Sequence, residues 1–70
     1  MKYAIKHKSS GKFLYEDTEV GTSLVNEGFI TWSNKKLADE YFEFFYNQLW
    51  IESIGKEIPI NEFEVCEVQV

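Results

Sequence analysis

Residues 41–50 read YFEFFYNQLW, six aromatic side chains in ten residues and half of the twelve in the whole chain. Rings at that density have to be buried or met by another molecule. A chain of 70 residues offers little interior, because a domain of this size buries only about 60% of its unfolded surface.

The spacing around this run predicts a helix over about residues 34–53. Ser33 or Asn34 supplies an N-cap oxygen, no proline interrupts, and Gly55 is placed as the left-handed residue beyond the end. On that helix Leu37, Ala38, Tyr41, Phe42, Phe45 and Leu49 form one stripe. Phe44, Tyr46 and Trp50 widen the apolar arc to about 240°, whereas one sheet covers an arc of about 100° or slightly more. The charged residues Lys36, Asp39, Glu40 and Glu43 occupy what is left. The expected contact surface is therefore Phe44, Tyr46 and Trp50, flanked by the acids Asp39, Glu40 and Glu43. The competing expectation is that the loop at 17–28 and the segment 56–61 fold over those rings.

Upstream, KYAIKHK alternates Tyr3, Ile5 and His7 with Lys2, Ala4, Lys6 and Lys8, the period of a half-buried strand. SSGK is a tight turn and KFLYED a second strand, giving an N-terminal hairpin. DTEVGTSLVNEG reads as a loop in which Val20, Leu24 and Val25 either dip into the core or form a short strand, and Phe29–Trp32 reads as a third strand. KEIPIN reads as a connector, since Pro59 bars helix. EFEVCEVQV reads as a final strand. Its apolar residues change face midway, so either a bulge sits near Cys66–Glu67 or the strand is covered on both sides. No internal repeat is evident. The expectation is a single α+β domain over 1–70. It is a small antiparallel sheet of three to four strands with one long helix packed on one face, in the order β-β-(β)-α-β.

Charge narrows the function. The net charge is −5, there is no arginine, and Lys2, Lys6, Lys8 and Lys12 sit in an N-terminal stretch free of acids. Direct nucleic-acid binding and docking on an anionic membrane are not expected of such a chain. The lysine stripe on the first strand fits cross-strand pairs with Glu62 and Glu64, provided the first and last strands are neighbours. Cys66 is the only cysteine, which argues for a reducing, cytoplasmic setting. The first residues lack the apolar run of a signal peptide, and no stretch is long enough to span a membrane. His7 reads as a strand residue beside a turn, and Cys66 as a small buried residue. No zinc, calcium or phosphate-loop spacing is present, and a cleft is not expected in so small a domain. The expectation is a protein that is not an enzyme, carries no cofactor or metal, and binds another protein.

MKYAIKHKSSGKFLYED followed by ITWSNKKLADEYFEFF resembles the small accessory proteins of bacteriophages and prophages. That resemblance implies a stoichiometric inhibitor of a host or defence protein, of the anti-CRISPR type. The acids Asp39, Glu40 and Glu43 are expected to steer it to a basic surface, with a nucleic-acid-binding enzyme among the candidate partners. The second expectation is a homodimer closed by the same helix surface.

Overall fold

The computed structural model describes residues 1–17, 19, 21–43 and 48–69, apart from the side chains of Asp17 and Gln48. It is a small α+β fold with a four-stranded antiparallel sheet, one helix and a separate hairpin. The strands are β1 (Lys2–His7), β2 (Phe13–Asp17), β3 (Gly21–Val25), β4 (Gln48–Ile51), β5 (Lys56–Pro59) and β6 (Phe63–Val68). The helix, α1, spans Lys35–Phe42, and a single 3-10 turn spans Ile60–Glu62. The large sheet has the order β3-β2-β1-β6, and β4 and β5 pair with each other.

The first and last strands are neighbours. β1 and β6 run in unbroken register from Lys2 opposite Val68 to His7 opposite Phe63. There is no bulge at Cys66–Glu67, which leaves cover on both sides. Ala4 and Ile5 are consecutive, so they point to opposite faces of the sheet. Both have no exposed surface. Lys6 stands opposite Glu64, the complementary cross-strand arrangement that the lysine stripe called for.

The expected third strand takes an unusual form. β1 and β2 pair only at Lys6 opposite Phe13 and then part. Tyr3 and Trp32 exchange two backbone hydrogen bonds of 2.9 Å, and the Ile30 N–H donates to the Leu14 carbonyl at 3.2 Å. Residues 30–32 thus wedge between β1 and β2 and satisfy backbone groups that the splayed strands leave open. The third strand of the sheet is instead Gly21–Val25, the short strand that is one of the alternatives for the DTEVGTSLVNEG stretch. It pairs with β2 from Phe13 opposite Val25 to Asp17 opposite Gly21.

The helix is eight residues, not twenty. Asn34 Oδ1 accepts the Leu37 N–H at 2.9 Å, which is the expected N-cap. Glu43 is already the C-cap. α1 lies against β1 and β6, with Ala38 as its fully buried residue, and Tyr41 packs its ring 5.0 Å from that of Trp32. The expected helix over 43–53 is overturned where the structure describes it, because Gln48–Ile51 is strand β4. Aromatic and β-branched residues favour a pleated strand over a helix. Here the pattern Leu49 in, Trp50 out, Ile51 in buries two aliphatic side chains against Ile58, Ile5, Leu14 and Phe63. Pro59 ends β5, a strand paired on one side, where a missing N–H costs nothing to a ladder.

Candidate functional site

Both hairpins turn through four residues. In the first, the His7 N–H donates to the Lys12 carbonyl at 2.8 Å and the Gly11 N–H to the His7 carbonyl at 2.9 Å. In the second, the Gly55 N–H donates to the Ile51 carbonyl at 2.8 Å. Gly11 and Gly55 have φ of 74° and 63°, the left-handed region that glycine enters cheaply. The residue after each is a lysine, Lys12 and Lys56. An open pocket of about 530 Å³ is lined by residues of both turns, within the range of small-molecule sites. The expectation that so small a domain would have no cleft is therefore corrected.

The lining of the pocket includes the aliphatic residues Leu24, Ile54, Ile58 and Pro59. It also includes His7, Ser10, Glu62, Lys12 and Lys56. His7 is the last residue of β1 and is buried, its ring 5.1 Å from that of Phe63 across the strand pair. Its Nε2 lies 3.2 Å from Glu62 Oε1 and its Nδ1 lies 2.8 Å from Ser10 Oγ. A carboxylate only accepts, so in the neutral ring Nε2 carries the proton, and Nδ1 is left to accept from the Ser10 hydroxyl. Ser10 Oγ also accepts the Lys12 N–H at 3.3 Å, and Ser9 Oγ stands 3.5 Å from Nε2. The Glu62 carboxylate is held near His7 by its own backbone, since the Glu62 carbonyl accepts the Lys8 N–H at 2.8 Å. The expected Lys8–Glu62 ion pair is not the contact observed. Lys8 Nζ donates to the Asn61 carbonyl at 3.1 Å, and Glu62 turns to His7.

The residues singled out from the helical pattern are dispersed. Phe44 and Tyr46 lie outside the described residues. Trp50 sits on β4 rather than on the helix, so it shares no helical face with the acids. It is 48% exposed, and its Nε1–H donates to Glu52 Oε1 at 2.8 Å. Glu57 lies opposite it on β5. Asp39 is half-buried and ion-paired with Lys35 at 2.8 Å, one helical turn back. Its charge is thereby partly offset. Glu40 and Glu43 are exposed on the last turn and C-cap of α1.

Cys66 is half-buried in β6 opposite Ala4. Burial pushes its thiol above the ordinary value of 9.0, Lys6 opposes that shift and Glu64 adds to it. Among the described residues, no group of three or more His, Cys, Asp and Glu side chains is placed to hold a metal ion. Nor is any helix among them long and apolar enough to cross a membrane.

The sequence reading missed the site formed by His7, Ser10 and Glu62. KSSGK at 8–12 and ESIGK at 52–56 share a serine two residues before a glycine-lysine pair, a signal for the second turn but not for the meeting of His7, Ser10 and Glu62. No known protein family, curated protein or solved structure matches the chain.

Proposed function

We propose that the chain is a small protein-binding module that docks through the outer face of the β4–β5 hairpin, with Trp50 as the anchor. The observation that carries this reading is the contrast within β4. Leu49 and Ile51 are sealed in the core, while Trp50 between them leaves 48% of its surface open. Outward positions of a strand are ordinarily polar, and tryptophan is among the residues most enriched at binding hot spots. The hydrogen bond to Glu52 holds the indole in one orientation, which lowers the entropy lost on docking. Ile54, in the turn of the same hairpin, is also 50% exposed. Glu52 and Glu57 border the ring. With a net charge of −5, they favour a partner whose receiving pocket has a basic rim. The resemblance to phage accessory proteins supports stoichiometric inhibition of a bacterial host or defence protein as the setting.

The test compares the wild-type chain with Trp50→Ala as bait in bacterial lysate, quantified by mass spectrometry, with light scattering on each chain alone. A partner retained at least tenfold less by Trp50→Ala, the size of a hot-spot loss, supports the reading. Equal retention by folded Trp50→Ala overturns it. A doubled mass that Trp50→Ala returns to monomer assigns the surface to a second copy of this chain instead.

A further inference from the structure

We propose that Ser10 is a nucleophile activated by His7, and that the pocket between the two hairpin turns takes esters of short aliphatic acids and transfers their acyl group to Ser10. This goes beyond the docking surface and does not depend on it.

Three features meet at this point. The first is alignment, with a hydroxyl on one ring nitrogen and a carboxylate on the other, at 2.8 and 3.2 Å. A nucleophile in contact with a base that is oriented by a third group is the arrangement that activates serine. The second is fixation of the base. His7 is buried at the end of β1, which is paired with β6, and its ring rests against Phe63. The tautomer required for Nδ1 to act as base is the one that Glu62 selects. The third is access. Ser10 is exposed on the turn and lines an open pocket whose lining also includes four aliphatic residues. A core histidine satisfied by two polar neighbours would need neither the opening nor that lining.

The step balances as follows. Ser10 Oγ attacks the ester carbonyl carbon as its proton passes to His7 Nδ1, and the Glu62 carboxylate faces the imidazolium that forms. The bond from the carbonyl carbon to the leaving oxygen then breaks. The departing alkoxide takes the proton from Nδ1, leaving an alcohol and an acylated Ser10. Water attacks that ester in the same manner, returning the proton to Ser10 and releasing the carboxylic acid. Lys12 and Lys56, which also line the pocket, are the positive charges available to the negative oxygen of the intermediate. Leu24, Ile54, Ile58 and Pro59 receive the acyl chain.

The experiment incubates the protein with p-nitrophenyl butyrate, follows p-nitrophenol release, and maps the butyryl group by mass spectrometry. The expected result is one butyryl group on Ser10, absent in Ser10→Ala. Glu62→Gln is expected to slow labelling about tenfold, and His7→Gln about a hundredfold or more, the usual contribution of a general base. Circular dichroism checks each variant. If His7→Gln does not fold, Ser10→Ala and Glu62→Gln, both at exposed residues, decide the matter. Labelling at Ser9 or a lysine, labelling indifferent to Glu62→Gln, or no labelling at all overturns the proposal.

Discussion

β1 and β4 are both short strands that seal aliphatic residues, consecutive ones in β1 and alternate ones in β4, so that one is covered on two faces and the other on one. In β1 the consecutive residues Ala4 and Ile5 are both without exposure. In β4, Leu49 and Ile51 are sealed and Trp50 is not. The difference follows from their neighbours. β1 lies inside the four-stranded sheet, between β2 and β6, with α1 against it. β4 belongs to a two-stranded ribbon whose inner face closes the core and whose outer face has nothing laid over it among the described residues. A two-stranded ribbon is barely stable alone, so its place depends on the aliphatic side chains it buries. Its outer face is correspondingly free to carry a side chain chosen for something other than folding.

The sharpest way to break that comparison is to truncate adjacent residues of β4. Leu49→Ala removes a fully buried side chain from the main cluster and should cost about 2–5 kcal/mol, a large share of the stability of so small a domain. Trp50→Ala, one residue on, should cost about 1 kcal/mol or less, as surface positions do. Urea denaturation of the two variants measures both. If Trp50→Ala proves as damaging as Leu49→Ala, the indole belongs to the core and the one-sided picture of β4 is wrong.

A smaller effect separates two glycines, Gly21 at the start of β3 and Gly55 in the turn of the β4–β5 hairpin. The Glu52 N–H donates to the Thr22 carbonyl at 2.7 Å, which ties β4 to β3. That approach brings Glu52 against Gly21, where an added Cβ would stand 2.5 Å from Glu52 Cγ. Both Gly21 and Gly55 have left-handed backbones, but a Cβ at Gly55 meets only open space. Gly55→Ala should therefore cost about 1 kcal/mol for conformation alone. Gly21→Ala adds displacement of Glu52 and should cost about 2–3 kcal/mol. Because Glu52 also holds the Trp50 indole, the Trp50 Nε1–H resonance should shift in Gly21→Ala and stay in place in Gly55→Ala. Equal costs and an unmoved resonance in both would show that Glu52 does not link Gly21 to Trp50.

The same contrast explains what could be read from the sequence. The first hairpin was legible because KYAIKHK alternates cleanly and SSGK can only turn. The last strand was legible from its apolar residues and the Asn34 cap from its side chain, whereas the pairing of that strand with the first stood only as the condition under which the lysines and Glu62 and Glu64 would meet. The second hairpin was not, because a run as aromatic as YFEFFYNQLW satisfies a period of 3.6 and a period of 2 equally well. Gly55 then compounded the error, since a left-handed glycine closes a helix and a four-residue hairpin loop alike. What separates the two is tertiary. Ile58 lies opposite Leu49, and no local pattern reports that pairing. Trp50 lies exposed on a different element, and its expected grouping with Asp39, Glu40 and Glu43 is absent, because that grouping existed only on a helix of twenty residues. The site at His7 went unread because its parts, at positions 7, 10 and 62, come together only when β1 and β6 pair.

The mildest test asks how far the cover on the Ala4 side of β1 extends, and Cys66 is its reporter. Cys66 lies opposite Ala4 on the neighbouring strand, so their side chains share a face. Burial raises the thiol above 9.0, against Lys6 and with Glu64, and only the thiolate reacts. At pH 8 the protein should react with a dithiobenzoate reagent more slowly than free cysteine does. Glu64→Gln should quicken the reaction and Lys6→Gln slow it further. The linkage to stability has a definite sign. A thiol whose pKa is higher folded than unfolded leaves its full contribution in place below 9.0. That contribution is lost as pH climbs from the unfolded to the raised folded value, because over that interval the unfolded chain gives up a proton that the folded chain retains. Cys66→Ala should flatten this decline in urea midpoints measured at rising pH. A thiol that reacts as fast as free cysteine would mean that cover on this face stops at Ala4, leaving β6 as one-sided as β4.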